Sequence, residues 1–177
     1  MMKKVIAAVL LITLFTVAIV KAMENKIEPD NTSQKTANFR SFKMGSIAPD
    51  FELKTLSGET VTLSEFKGKK VILNFWATWC NPCKVEMPEI EKFHKKHGKD
   101  VVILAVNIDT YSDVKGFVKK NHITFPILLD SKNKVNELYP VFNIPTTFFI
   151  DSKGLVQNNY SGSMSVDIME NLSNKLN

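Results

Sequence analysis

Seven residues in the middle of the chain, Val71 to Ala77 (VILNFWA), carry no charge and one polar side chain, Asn74. A continuous apolar run with β-branched and aromatic members reads as a strand buried on both faces, and such strands belong to sheets covered by helices on each side. Directly after it the spacing turns helical. Over residues 81–97, Val85, Met87 or Ile90, and Phe93 fall on one side, with Glu and Lys on the other. Gly98 closes the helix as a C′ residue, and Pro88 inside the pattern implies a kink. The handover from strand to helix holds the chain's only two cysteines, Cys80 and Cys83.

The flanking sequence supplies the rest of a fold. Phe51–Leu56 and Val61–Leu63 enclose Ser57-Gly58-Glu59, a hairpin with glycine in its turn. Val101–Ile108 reads as a second buried strand, and residues 112–121 as a helix carrying Val114, Phe117 and Val118. Pro126–Asp130 is a short strand and 132–139 a short helix. Thr146–Asp151 and Leu155–Tyr160 pair across Ser152-Lys153-Gly154. Residues 163–176 close as an amphipathic helix with Val166, Ile168, Met169, Leu172 and Leu176 inward. A βαβ run followed by a hairpin and a helix predicts an α/β fold, a mixed sheet between helical layers. Trp76 fills core in this reading, and His94, His97 and His122 lie on the surface.

The N-terminus has a different character. Lys3 and Lys4 precede sixteen uncharged, mostly apolar residues, Val5 to Val20, and then Lys21. As a helix, sixteen residues span about 24 Å, a little short of a hydrocarbon core of roughly 30 Å. Extension to Met23, with Lys21 snorkelling, gives about 28 Å. The leading lysines place the N-terminus in the cytoplasm and the body outside it. A cleaved signal peptide is the competing reading, with small residues around Lys21 but the lysine beside the cut. No Cys follows the run, which excludes a lipidated cysteine. Residues 1–23 are read as a retained single-pass anchor of the cell membrane. Residues 24–42, polar and aperiodic, form a flexible tether, and 43–177 form the domain. The net charge of +5 falls away with the anchor: without Lys3, Lys4 and Lys21, 20 basic residues face 18 acidic ones. With Arg40 the single arginine, nucleic acid is excluded as a partner.

Trp79-Cys80-Asn81-Pro82-Cys83 carries the chemistry. As a staple, a disulfide closing so short a loop gains only about 2 kcal/mol of chain entropy. As a redox centre the spacing has a purpose. Unpaired N–H groups and the positive end of the helix dipole favour a thiolate at Cys80 and lower its pKa. Cys83, one turn on, can resolve a mixed disulfide, and Pro82 suits the first turn. Zinc would need His94 and His97 in a C-x2-C-x10-H-x2-H spacing off the usual pattern, all along one helix. Haem attachment would need His where Lys84 stands.

Phe75-Trp76-Ala77-Thr78-Trp79-Cys80-Asn81-Pro82-Cys83 resembles the active-site segment of thioredoxin-fold proteins. Ala48-Pro49-Asp50-Phe51, Glu86-Met87-Pro88, Asn143-Ile144-Pro145-Thr146-Thr147-Phe148 and the N-terminal run narrow the likeness to the TlpA/ResA group of membrane-anchored thiol–disulfide oxidoreductases. The resemblance covers residues 43–177 and implies a thioredoxin-like fold with an N-terminal β-hairpin and a βα insertion. It implies Cys80 as nucleophile, Cys83 as resolving thiol, and Glu86 as a buried acid–base group. Trp79, Ile144, cis-Pro145 and Thr146 would meet substrate. Neither metal nor cofactor is implied. The expected activity is reduction of protein disulfides outside the cytoplasm, above all the haem-binding cysteines of apocytochrome c, by a monomer fed from a CcdA-type membrane electron donor. Other envelope or spore substrates are alternatives. The chain departs from the pattern at Asn74, where thioredoxin proper has an acid, and at Asn81, where the ResA branch often has one.

Three other functions compete. A peroxidase would need P-x-x-x-[ST]-x-x-C, but Thr78 stands two residues before Cys80 and the pattern is absent. A Sco-type copper carrier uses a wider cysteine spacing and a distal His. A dithiol oxidase is the nearest rival, because CxxC chemistry runs both ways. With no His between the cysteines, the potential is expected nearer thioredoxin, about −270 mV, than DsbA, about −120 mV.

Overall fold

The computed structural model describes residues 43–109 and 112–176. The anchor expected over 1–23 and the tether over 24–42 lie outside the described residues. Among the described residues no helix is long and apolar enough to cross a membrane.

Strand β1 (Glu52–Thr55) pairs antiparallel with β2 (Thr60–Thr62), and a 3₁₀ turn at Leu63–Phe66 follows. Then come β3 (Lys70–Trp76), α1 (Asn81–His97), β4 (Val101–Asn107) and α2 (Val114–Lys120). The chain finishes with β5 (Ile127–Leu129), α3 (Lys134–Leu138), β6 (Thr146–Ile150), β7 (Val156–Ser161) and α4 (Val166–Asn174). The seven strands form one mixed sheet in the order β2-β1-β5-β4-β3-β6-β7. β3 runs parallel to β4, from Lys70↔Val101 to Trp76↔Asn107, and antiparallel to β6, from Val71↔Ile150 to Phe75↔Thr146. β5 adds a strand parallel to β4 and carries the β1–β2 hairpin on its other edge. That added strand is the expected insertion.

Alternation along β3 divides the core in two. Val71, Leu73 and Phe75 pack with Leu104, Val106, Phe148 and Tyr139 on one face. Ile72 and Trp76 pack with Ile103, Phe149, α1's Met87, Ile90 and Phe93, and α4's Met169 on the other. Asn74, between Ile72 and Trp76, therefore faces α1. The Ala48-Pro49-Asp50-Phe51 segment proves structural. Tyr139 donates its hydroxyl to the Pro49 carbonyl at 2.7 Å, and Asp50 Oδ1 accepts from the amides of Phe51 and Ser64 at 3.0 and 2.9 Å. Burial pushes the Tyr139 phenol well above its ordinary pKa.

Four expectations need correction. Val85 is 68% exposed, because starting α1 at Asn81 turns Cys83, Glu86, Met87, Ile90 and Phe93 inward and leaves Val85 off that stripe. Gly98 is right-handed at φ −63°, so it is not a left-handed C′ glycine. It is required for space instead: a Cβ there would lie 2.6 Å from the His94 carbonyl oxygen. His94 and His97 are half-buried rather than on the surface. His97 stacks 4.7 Å from Phe93 and contacts Glu170 at 2.8 Å, which fastens α1 to α4. His122 is exposed as expected. Phe149, fully buried between sheet and helices, tests the packing: Phe149→Ala is expected to lower the unfolding free energy by about 3–5 kcal/mol in urea titration, and a loss below about 1 kcal/mol would contradict its place in the core.

Candidate active site

The turn between β3 and α1 is closed by the Cys80 amide donating to the Ala77 carbonyl at 3.3 Å. Cys80 is the N-cap residue of α1, with extended backbone angles (φ −80°, ψ 111°), and its Sγ accepts from the Cys83 amide at 3.2 Å. A helix start leaves four N–H groups unpaired, and an N-cap side chain normally supplies oxygen to one of them. Here a sulfur takes that place. Pro82, in the first turn, has no N–H to leave unpaired. Cys80 and Cys83 form a disulfide with Cα atoms 5.2 Å apart. Cys80 is 5% exposed and Cys83 1%, so the first cysteine is the less buried of the two.

β6 brings the second part of the site. It starts at Thr146, opposite Phe75, and so carries the loop before it to the same end of the sheet as the cysteines. The Ile144–Pro145 peptide is cis, and the Ile144 carbonyl oxygen lies 3.6 Å from Cys80 Sγ. Trp79, beside Cys80, is 64% exposed. Thr146 is different from what was expected: it is buried, and its hydroxyl donates to the Asn143 carbonyl at 2.6 Å. Its side chain braces the loop and faces no solvent.

Glu86, one turn beyond Cys83, points into the core. Its Oε1 accepts from the Met164 amide and its Oε2 from Asn74 Nδ2, both at 3.0 Å. Asn74 Nδ2 also donates to Thr147 Oγ1 at 2.8 Å, across the β3–β6 ladder. Burial raises the Glu86 carboxyl to about 7 from its ordinary 4.5, against the two hydrogen bonds, which favour the anion.

Comparison with known proteins agrees with this geometry. A family model described as AhpC/TSA matches residues 44–159. Thioredoxin-like protein YneN of Bacillus subtilis (strain 168) is 46% identical over 130 residues, 71% of this chain and 76% of that one. Thiol-disulfide oxidoreductase ResA of Oceanobacillus iheyensis is 36% identical over 172 residues, 94% of this chain and 85% of that one. The crystal structure of StoA from Bacillus subtilis superposes with a TM-score of 0.64 at 34% identity, covering 73% of this chain and 98% of that one. The chain belongs to the ResA/StoA-type thiol–disulfide oxidoreductases, within the AhpC/TSA family. It has the thioredoxin-like fold and the paired Cys80 and Cys83 of such an enzyme. The P-x-x-x-[ST]-x-x-C pattern of a peroxidase is missing: Leu73 and Ala77 hold the positions where it needs Pro and Ser or Thr, and both are fully buried.

Two features of this ResA-type site escaped the sequence reading. Phe142, three residues before Pro145, is 82% exposed, and nothing in its periodicity marks it. Asp109, beyond the end of β4, reaches across to the cysteine turn, where its Oδ2 accepts from the Thr78 amide at 2.8 Å. A side-chain contact over that sequence separation leaves no local signal.

The raised Glu86 pKa fixes a pH dependence of stability. The folded chain holds the Glu86 proton up to about pH 7 and the unfolded chain only to about 4.5. The folded state therefore binds more protons between those values, and stability falls as pH rises through them. Glu86→Gln is expected to remove that loss, so its stability relative to wild type should rise between pH 4.5 and 7.5 by up to about 3 kcal/mol. Chemical denaturation at both pH values measures it, and a pH-independent difference would show that the carboxyl titrates normally.

Proposed function

We propose that the protein is a reductant of protein disulfides in which Cys80 attacks and Cys83 resolves. The Cys80 thiolate attacks one sulfur of a substrate disulfide, a mixed disulfide forms, and a substrate thiolate leaves. The Cys83 thiol then loses its proton and attacks Cys80 Sγ. The second substrate thiolate departs, the protein keeps the disulfide, and two electrons have passed to the substrate. Glu86, with a carboxyl that titrates near neutrality one turn from Cys83, is the acceptor for the Cys83 proton. Trp79 and the backbone of Ile144, next to cis-Pro145, form the face against which an extended substrate segment lies. The observation that carries this reading is the placement of Cys80 Sγ between the Cys83 amide and the Ile144 carbonyl.

For the compartment and partners, the support comes from the sequence and from the likeness to named relatives. The apolar run from Val5, with Lys3 and Lys4 before it, supports a retained anchor and a domain outside the cytoplasmic membrane. There an integral donor of the CcdA type can re-reduce it. The likeness to proteins named ResA supports the haem-binding cysteines of apocytochrome c as substrate. A relative named sporulation thiol-disulfide oxidoreductase A, 36% identical over 130 residues, supports an envelope or spore protein as the second reading.

The dithiol form of the full-length chain is expected to reduce an oxidised C-x-x-C-H peptide of a c-type apocytochrome, and Cys83→Ala to trap it as a mixed disulfide on Cys80. Against glutathione the potential should lie nearer −270 mV than −120 mV, a gap of about 150 mV or roughly 7 kcal/mol. A value at the upper end would make the protein an oxidase. Membranes from producing cells should retain the full-length chain after alkaline washing. A soluble form beginning near Met23 would instead mean a cleaved signal.

A further inference from the structure

Asp109 is buried, at 7% exposure, on the loop that leaves β4. Its Oδ2 takes two donors, the Thr78 amide at 2.8 Å and Asn107 Nδ2 at 3.0 Å. Its own amide donates to Asn107 Oδ1 at 3.1 Å. Asn107 is in turn fixed by its place in the sheet, opposite Trp76 and Leu129, and the Ile108 amide donates to the Trp76 carbonyl at 3.1 Å. The end of β4 is thus tied to the turn that presents Cys80 by a side-chain bond as well as by the ladder. The remaining oxygen, Oδ1, is buried with no hydrogen-bond partner among the described residues. A neutral amide or hydroxyl could hold Thr78 without burying a carboxylate, and an unpaired buried carboxylate oxygen costs free energy. Hydrogen bonding alone therefore does not account for an acid here.

We propose that Asp109 is a positioning residue for the redox centre, which holds the Ala77–Cys80 turn through the Thr78 amide and sets a negative charge against the sulfur of Cys80. In the disulfide neither sulfur is charged; after reduction the Cys80 sulfur ionises. A buried carboxylate on the β4 loop, bonded to the turn amide two residues before Cys80, opposes that anion and leaves the disulfide untouched. It biases the couple toward the disulfide and makes the dithiol the better electron donor. The N-cap position works in the other direction by stabilising the thiolate. Asp109 limits that effect, which suits a reductant. The charges facing the Cys80 turn from the other elements are few. Lys84 on α1 is exposed and spends its ammonium on Asn81 at 3.5 Å, and Glu86 is buried on the far side of Cys83.

The inference rests on Cys80 as the attacking sulfur, and the experiment separates the two. Full-length wild type, Asp109→Asn and Asp109→Ala are equilibrated with glutathione buffers, and free thiol is quantified by alkylation and mass spectrometry. Asp109→Asn keeps an oxygen for Thr78 and removes the charge. Its equilibrium constant is expected to move about tenfold toward the dithiol, about 30 mV, with wild-type thermal stability. Asp109→Ala is expected to move the same way and to exchange at least fivefold more slowly, because the turn loses its tie. A potential for Asp109→Asn equal to that of wild type would overturn the charge role even if Asp109→Ala fails to fold. Faster alkylation of Cys83 than of Cys80 in the wild-type dithiol would instead overturn the assignment on which the inference stands.

Discussion

The ladder that β3 shares with β4 on one side and β6 on the other positions every reactive group. Its central place requires side chains that are apolar on both faces, which is why the strand reads as an unbroken hydrophobic run. The parallel register with β4 ends at Trp76↔Asn107, and the antiparallel register with β6 ends at Phe75↔Thr146. Three chain segments therefore leave the sheet together: the cysteine turn after β3, the Asn107–Asp109 corner after β4, and the Ile144–Pro145 corner before β6. None needs a long excursion to meet the others. Moving β6 by one residue would invert its faces, send Thr147 away from Asn74 and take Pro145 off the disulfide.

Inside that frame the chain keeps a costly group. Glu86 replaces what would be an apolar position on the inward stripe of α1, and burial disfavours its charged form. Two donors, from Met164 and Asn74, offset part of the cost and hold the carboxyl where its two protonation states are nearly balanced at neutral pH. Asn74 suits this better than an acid would. Its amide donates to Glu86 and to Thr147 at once, whereas a second carboxyl beside the first would have to share a proton with it. The absence of an acid from β3 and the buried acid on α1 are thus one arrangement, with the titrating carboxyl on the helix and its amide partner on the strand.

Elements with strong periodicity were legible in the sequence. The bounds of α1 agree because Pro82, a long amphipathic stripe and Gly98 all mark them, and β3 agrees to within one residue at each end because nothing from Val71 to Trp76 is charged. What the sequence concealed depends on rotation or on distance along the chain. Val85 was placed inward because an apolar residue on an amphipathic helix defaults to the core, yet Cys83 and Glu86 claim that face. His97 looked like a solvated residue until α4 supplied Glu170. Thr146 looked available to substrate beside Pro145, and the hydrogen bond of its hydroxyl to Asn143 withdraws the side chain. Asp109 follows the strand by two residues and meets its partner 31 residues earlier, a pairing visible only once β3 and β4 lie side by side.

Membership of the AhpC/TSA family decides the scaffold and leaves the chemistry to the turn after β3. A peroxidase on this scaffold needs hydroxyl and proline groups ahead of its cysteine. Here that stretch is Leu73 to Ala77, closed to solvent, with its one polar side chain, Asn74, bonded to Glu86 and Thr147. Beside Cys80 a peroxide would not meet that hydroxyl and proline. It would find instead a second sulfur already within bonding distance, the carbonyl of Ile144 on one flank and the exposed ring of Trp79 on the other. That set suits an extended polypeptide, whose backbone can align beside Ile144 while one of its sulfurs approaches Cys80. Cys83 is nearly sealed from solvent, and the sulfur within its reach is Cys80 Sγ. In the mechanism proposed above, that burial directs the second attack to Cys80 Sγ, so the pair is released from its partner and does not remain caught on it.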